Sequence, residues 1–386
     1  MKDKILLWMR GGVSNHLVNY PTPLNINYFW SFGSMLGVTL GLQIMTGLFL
    51  AMNYTPHIDH AFDSIEHIMR DVSFGWLLRY LHANGASMIF FLIYAHMARG
   101  IYYQSYKEPR QHVWLSGSLI FVLMAGTAFL GYVLVWGQMS YWAATVITNI
   151  LTAVPIFGEP IVMWIWGGFS VNNATLNRFF GLHFLLPLVI AALAILHLLI
   201  LHRVGSSNPM GIDSSLDNIR FFPYFFLKDV VAYAGFLVLF MYTVCYQPNL
   251  FSHSDNYIKA NPLVTPTHIV PEWYFLPFYA ILKSIPSKIG GAIAMGLSMA
   301  CLFILPFVDI SERSWVESKF FHDFFFAALV VDVLLLGWLG GKAPSPVLVT
   351  LNQFATFYYF LHFFVIIPAL GYFENNAITK WLFNEA

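Results

Sequence analysis

The sequence predicts an all-α integral membrane protein of eight transmembrane helices, the first four forming a bundle. Three observations carry this. The 386 residues are 58% hydrophobic and 10% charged, with a mean hydropathy of +0.65, whereas a water-soluble domain carries about 25% charged residues. Eight apolar stretches are long enough, or nearly so, to cross a bilayer. Four histidines and four glycines inside the first four stretches repeat one interval: His82 and His96, His183 and His197, Gly33 and Gly47, Gly117 and Gly131.

The stretches run at Phe32–Met52, Trp76–Ile101, Leu115–Trp136, Phe179–Leu201, Val230–Cys245, Ile289–Val308, Phe320–Leu339 and Val347–Tyr372. Eight spans put both termini on one side. That side then holds twelve of the nineteen Lys and Arg residues, which marks it as the negative side, cytoplasm or matrix. Two long connections, 137–177 and 247–288, fall on the opposite, positive side. Long connections with structure of their own tend to carry function. Domains are expected at 1–203, a four-helix bundle bearing the paired histidines with the first long connection, and 204–386, four further spans with the second long loop.

The segment 1–27 is polar, broken by Pro21 and Pro23, and lacks the apolar core of a cleavable signal. Insertion is expected to be directed by the spans themselves. The formal net charge is zero, so no nucleic-acid partner is expected. Cys245 and Cys301 both lie in apolar stretches and read as packing residues. No Cys-x-x-Cys-His occurs, so covalent c-type haem is excluded.

Fourteen helical steps of about 100° return a side chain to within about 40° of its start, roughly 21 Å along the axis. Each histidine pair therefore shares a face and sits at two depths. The second and fourth spans run in the same direction, so His82 levels with His183 toward the positive side and His96 with His197 toward the negative side. Two facing imidazoles can ligate one haem iron from both sides, leaving no open position, so such a centre carries electrons. A lone intramembrane histidine is as readily a proton relay or a packing residue. The doubled interval favours ligation. The glycine pairs predict that the first and third spans yield space to two macrocycle edges, although a single helix glycine usually marks close helix packing. Arg79 and Arg99 flank the first histidine pair. They read either as partners of haem propionates or as snorkelling anchors.

At these residues the chain resembles cytochrome b, the diheme subunit of ubiquinol–cytochrome c reductase (the bc1 complex, complex III), of the mitochondrial type. The resemblance runs nearly end to end. Its motifs are Glu66-His67-Ile68-Met69-Arg70-Asp71, Leu81-His82-Ala83-Asn84-Gly85-Ala86, Trp166-Gly167-Gly168-Phe169-Ser170 and Pro271-Glu272-Trp273-Tyr274. It implies two non-covalent b-type haems. It also implies ubiquinol oxidation at a positive-side site, Qo. One electron goes to a Rieske iron–sulfur protein and the other through low- then high-potential haem to quinone at a negative-side site, Qi. Protons are released on one side and taken up on the other. The expected partners are the Rieske protein, cytochrome c1, a second copy of the complex, quinone and membrane lipids. The expected location is the mitochondrial inner membrane, with a bacterial plasma membrane as the alternative.

The resemblance also assigns residues. Glu272 is implied as the Qo proton acceptor, since a carboxylate in apolar surroundings has a raised pKa and can take a quinol proton. Tyr132 and Tyr274 are similar to Qo residues. So is Phe129, for which a plain core role stands equally. His202, Ser206, Lys228 and Asp229 match Qi positions; for Lys228 a headgroup contact stands equally. There are departures. Ala143 replaces the usual glycine, which predicts insensitivity to strobilurin-type Qo inhibitors. Tyr141 replaces the usual His or Phe, Val135 a proline and Ser31 an asparagine near Qi. Two rival classes remain at this level. A diheme membrane anchor of a dehydrogenase would lack the Pro271–Tyr274 loop, and a transporter with histidine relays would hold no haem.

Overall fold

A computed structural model describes residues 12, 14–311 and 319–375. The described chain is built almost wholly of helices: α1 (Phe32–Ala51), α2 (Ala61–Arg70), α3 (Gly75–Tyr102), α4 (Gln111–Leu134), α5 (Gln138–Asn149), α6 (Gly158–Trp166), α7 (Asn173–Val204), α8 (Tyr224–Tyr246), α9 (Leu276–Ser284), α10 (Lys288–Val308), α11 (Lys319–Gly340), α12 (Pro346–Leu361) and α13 (Ile367–Asn375). A π-turn, His362–Ile366, joins α12 to α13, so that these run on as one long rod. One two-stranded antiparallel ribbon, β1 (Pro21–Pro23) with β2 (Asn218–Arg220), ties the segment before α1 to the connection before α8.

Seven described helical segments are long and apolar enough to span a membrane: α1 with its preceding turn, α4, α7, α8, α10, α11 and the α12–α13 rod. The remaining expected span, α3, is a 28-residue helix, about 42 Å long. Its length suffices, but Arg79, His82, Asn84, His96 and Arg99 lower its hydropathy. Local chemistry sets the ends. Asn172 caps α7 by accepting from the amides of Ala174 and Thr175, while Thr175 Oγ1 accepts from the Asn172 amide. This capping box fixes the entry of the helix that carries His183 and His197. Gly205, at φ +81°, ends it.

Within the first half, α1 packs along α3 and α4 along α7, whereas α3 and α7 have little close backbone packing with each other. The histidine helices thus face one another across a gap, each backed by a glycine-bearing helix. In the second half α9 to α12 pack around Ala280, Ile281, Leu305, Leu336 and Tyr359. The two halves join through Phe90, Phe121, Met124, Tyr274, Phe278 and Leu302. Cys301 is buried and Cys245 exposed, and neither is in a disulfide.

Candidate haem and quinone sites

His82 and His183 meet across the gap with ring centroids 6.2 Å apart and planes at 85°. Two imidazole–metal bonds of about 2 Å each, plus the ring radii, fill that separation. His96 and His197 face each other at the next depth, close enough to interact electrostatically.

The Nδ1 atoms decide which nitrogen can ligate. Thr46 Oγ1 already donates to Leu42 O (2.8 Å) and lies 3.0 Å from His82 Nδ1. The hydroxyl proton is committed, so it accepts from Nδ1–H. Ser116 Oγ repeats this, donating to Val113 O (2.9 Å) and accepting from His197 Nδ1–H (2.9 Å). His183 Nδ1–H donates to the carbonyl of Thr127 at 2.8 Å. Three imidazoles are therefore held in the tautomer that leaves the Nε2 lone pair for a metal. His96 differs: its Nδ1 accepts from the Arg99 guanidinium at 3.1 Å. Ligation through its Nε2 requires the proton to move to Nδ1 and Arg99 to turn away. Arg99 Nε is buried without a partner, an unmet donor that suits an anionic propionate. The donor set fits two bis-histidine haems.

All four glycines lie against the histidine rings. A β-carbon on Gly33 would lie 3.3 Å from His96 Cε1, one on Gly47 3.1 Å from His82 Cε1, and one on Gly117 3.2 Å from His197 Cε1. On Gly131 it would collide with the His183 ring outright. Each glycine clears room for the imidazole of the adjoining antiparallel helix. The residues before two of these glycines, Thr46 and Ser116, are the hydroxyls that fix the tautomers. Sequence reasoning passed over both, and their adjacency to Gly47 and Gly117 was the available signal.

On the face bearing α2, α5 and α6, the two long connections are laced together. Gln138 N donates to Ile258 O (2.9 Å), Ala260 N to Trp136 O (3.0 Å) and Ser140 N to Asn256 Oδ1 (2.9 Å). Lys259 Nζ pairs with Asp63 at 2.9 Å. The Pro271–Tyr274 run is pinned to α3: Trp273 Nε1 donates to Ser87 Oγ (3.1 Å), Tyr94 OH donates to Tyr274 O, and the Tyr274 ring stacks on Phe90 at 4.0 Å and 3°. This leaves the half-buried Glu272 carboxyl facing Tyr132 and Arg79. Burial pushes Glu272 up to about 7, while the approach of the Tyr132 hydroxyl and the Arg79 guanidinium pull it down. Arg79 thus stands with Glu272 and Tyr132 at the edge of the His82 station. Phe129 lines an apolar cavity of about 370 Å³, with Ile147, Leu151, Ile165, Phe179 and Met295, a volume suited to a small apolar ring system. Glu272 and Tyr132 are not in its lining. Ala143 is buried in α5, as is Tyr141.

At the opposite face a strap, residues 14–31, lies over the ends of α7 and α8. His202 stacks with His16 and Tyr20, and Tyr20 OH lies 3.3 Å from Ser206 Oγ. Lys228 Nζ donates to Ile26 O at 2.7 Å and covers the Tyr28 ring. Asp229 lies beside Ser31 and Ser34. The four residues thus fall into two pairs held by different parts of the strap. His16 and Tyr20 were missed, since nothing local in sequence joins residue 16 to residue 202.

These features define a class: a helical protein with helices long and apolar enough to cross a membrane, carrying two facing pairs of buried histidines. The family comparisons agree. The description Cytochrome b/b6/petB matches residues 17–205, and Cytochrome b(C-terminal)/b6/petD matches residues 259–360. The chain is 54% identical to a cytochrome b of Chondrus crispus, covering 94% of this chain and 95% of that one. It is 56% identical to one of Marchantia polymorpha (95% and 91%) and 55% identical to one of Rickettsia prowazekii (93% and 91%). A solved hyperthermophilic respiratory Complex III matches with a TM-score of 0.89 at 36% identity, covering 95% of this chain and 96% of that one. The chain belongs to the cytochrome b family.

Proposed function

We propose that the chain oxidises ubiquinol at one membrane face and reduces quinone at the other, as the cytochrome b subunit of a respiratory complex III, quinol–cytochrome c oxidoreductase. The observation that carries this is the His82–His183 pair, 6.2 Å apart with Nδ1 hydrogen-bonded on both rings. In this reading α3 is the eighth span. Two non-covalent b-type haems, when bound, would supply one-electron carriage. His82 and His183 would hold the one nearer the long loops, and His96 and His197 the other. Thr46, Thr127 and Ser116 orient the imidazoles. Arg99, once turned from His96, would bind a propionate, and Arg79 is placed to do the same at the other station.

At the loop face, Qo, the quinol hydroxyl is presented to Glu272, and the apolar cavity lined by Phe129 takes an apolar part of the quinol. The Glu272 carboxylate accepts a quinol proton, steadied by Tyr132, and Tyr274 fixes its backbone. At the strap face, Qi, His202, Ser206, Lys228 and Asp229 hydrogen-bond a quinone and deliver protons to its oxygens. Residues 1–203 then form the haem unit and 204–386 the supporting unit. The Rieske protein, cytochrome c1, a second copy of the complex and membrane lipids are its partners. The membrane is the mitochondrial inner membrane or a bacterial plasma membrane.

The test is a reduced-minus-oxidised spectrum of the purified complex with a redox titration. Two b-type components per chain are expected. Material without porphyrin overturns the proposal.

A further inference from the structure

His16 and His202 lie 186 positions apart, yet their Nδ1 atoms are 2.9 Å from each other. Their rings are parallel within 8°, with centroids 5.0 Å apart. The β1–β2 ribbon and the bond from Phe221 N to Tyr20 O (2.9 Å) hold the strap in this place. Two imidazole nitrogens at that distance share one proton: one Nδ1 donates and the other accepts. The two Nε2 atoms are then the outer ends of a two-ring path. Around it stand Tyr20, whose ring is 4.1 Å from that of His202, and Ser206. Arg110 stands behind them, bonded to the carbonyls of Gly205 (2.9 Å) and Ser206 (3.1 Å).

We propose that His16 is a proton relay for quinone reduction, taking protons from the aqueous phase and passing them through His202. The proposal rests on the assignment of His202 to the quinone site. His16 takes a proton at Nε2. Its Nδ1 proton crosses to Nδ1 of His202, and the Nε2 proton of His202 goes to a quinone oxygen. One proton thus leaves water and one O–H bond forms. The two electrons of quinone reduction come from the quinol oxidation that the complex catalyses. The pair resets through water: each imidazole, once turned away from its partner, gains a proton at the nitrogen that lost one and releases the proton on its other nitrogen, with no net change. His16 acts through His202 and is not itself a quinone contact. Its Nδ1 bond also fixes the tautomer of His202 that presents Nε2–H to the substrate.

The experiment compares His16→Phe, which keeps a flat ring, His16→Gln, which keeps a hydrogen bond but cannot relay, and His202→Phe. It uses the intact membrane complex and follows quinone reduction at the strap-face site against pH, in water and in deuterium oxide. Both His16 variants are expected to lose about tenfold in rate, with KM for quinone unchanged. The loss should deepen as pH rises and protons become scarce, and added imidazole should restore part of the rate. Wild-type rate, pH profile and isotope effect in both variants overturn the relay, as does a loss confined to KM. If His202→Phe is inactive while the His16 variants are normal, the relay alone fails. If His202→Phe is also normal, the quinone-site assignment fails first.

Discussion

A β-carbon on Gly47 would stand 3.1 Å from Cε1 of His82, and the adjacent Thr46 hydroxyl bonds the same ring at Nδ1. One dipeptide of α1 therefore fixes both the clearance and the tautomer of an imidazole on α3. Ser116-Gly117 does the same for His197 on α7.

The clearances rank four substitutions. At Gly33, Gly47 and Gly117 an added methyl asks its neighbour to yield a few tenths of an ångström, and the imidazole can tilt by that much. At Gly131 three atoms of the His183 ring fall within 3 Å of the added carbon, more than a packed helix pair absorbs. Gly131→Ala is expected to lose most of the haem held by His82 and His183, while Gly117→Ala keeps both. Pyridine haemochrome content and the two-step redox titration check the ranking. Equal retention in the two variants contradicts it.

The hydroxyls predict a shift without loss. Thr46→Val and Ser116→Ala remove the acceptors of the His82 and His197 Nδ1 protons and leave the ligands in place. A ligating imidazole that donates no hydrogen bond is a weaker base, and such second partners are worth about 10–100-fold in affinity. Each variant is expected to raise the midpoint potential of its own haem, because the oxidised iron loses donor strength, and to leave the other unchanged. Potentiometric titration reads this directly. A downward shift, or one at both stations, is the contrary result.

Much of this arrangement was legible in the sequence, and the limits are physical. The fourteen-residue interval reports face and depth because helix periodicity is local, so the levels of His82 with His183 follow from counting. What the glycines face does not, since it depends on α1 pairing with α3 and α4 with α7, contacts that periodicity within one helix cannot encode. Hydropathy under-reads α3 because it carries Arg79, His82, Asn84, His96 and Arg99. Tyr132 and Glu272 were named by resemblance, but their approach is a product of the long loop folding over α5. The His16–His202 bond joins a surface strap to a helix end and leaves no trace in either segment alone.

Glu272 sets a pH dependence. Its carboxyl is raised from 4.5 to about 7, so it is protonated below that value and can accept a proton only above it. Quinol oxidation is expected to rise with pH and level off above about 7. For stability the sign is opposite: a raised carboxyl favours the fold at low pH, and this contribution is lost as pH climbs from about 4.5 through 7. Glu272→Gln should flatten the activity limb and reduce the rate by about tenfold or more. A pH–rate profile of the variant at saturating cytochrome c checks it. An unchanged limb assigns the ionisation to another group.

Ala143 gives the last prediction. Its side chain is 5% exposed in α5, the helix laced to the second long loop through Gln138 and Ser140. In the family this position is usually glycine, and a methyl there obstructs a tightly fitting strobilurin more than a loosely held quinol. The wild-type complex is therefore expected to resist azoxystrobin. Ala143→Gly removes one methyl and so relieves the obstruction, at a cost of about 1 kcal/mol in helix propensity. Losing a steric clash of that size in a close-packed site is worth about 1–3 kcal/mol, or tenfold or more in inhibitor affinity. Quinol–cytochrome c turnover should change little. Inhibitor titrations of the two complexes give the answer, and equal sensitivity would show that the methyl does not face the inhibitor.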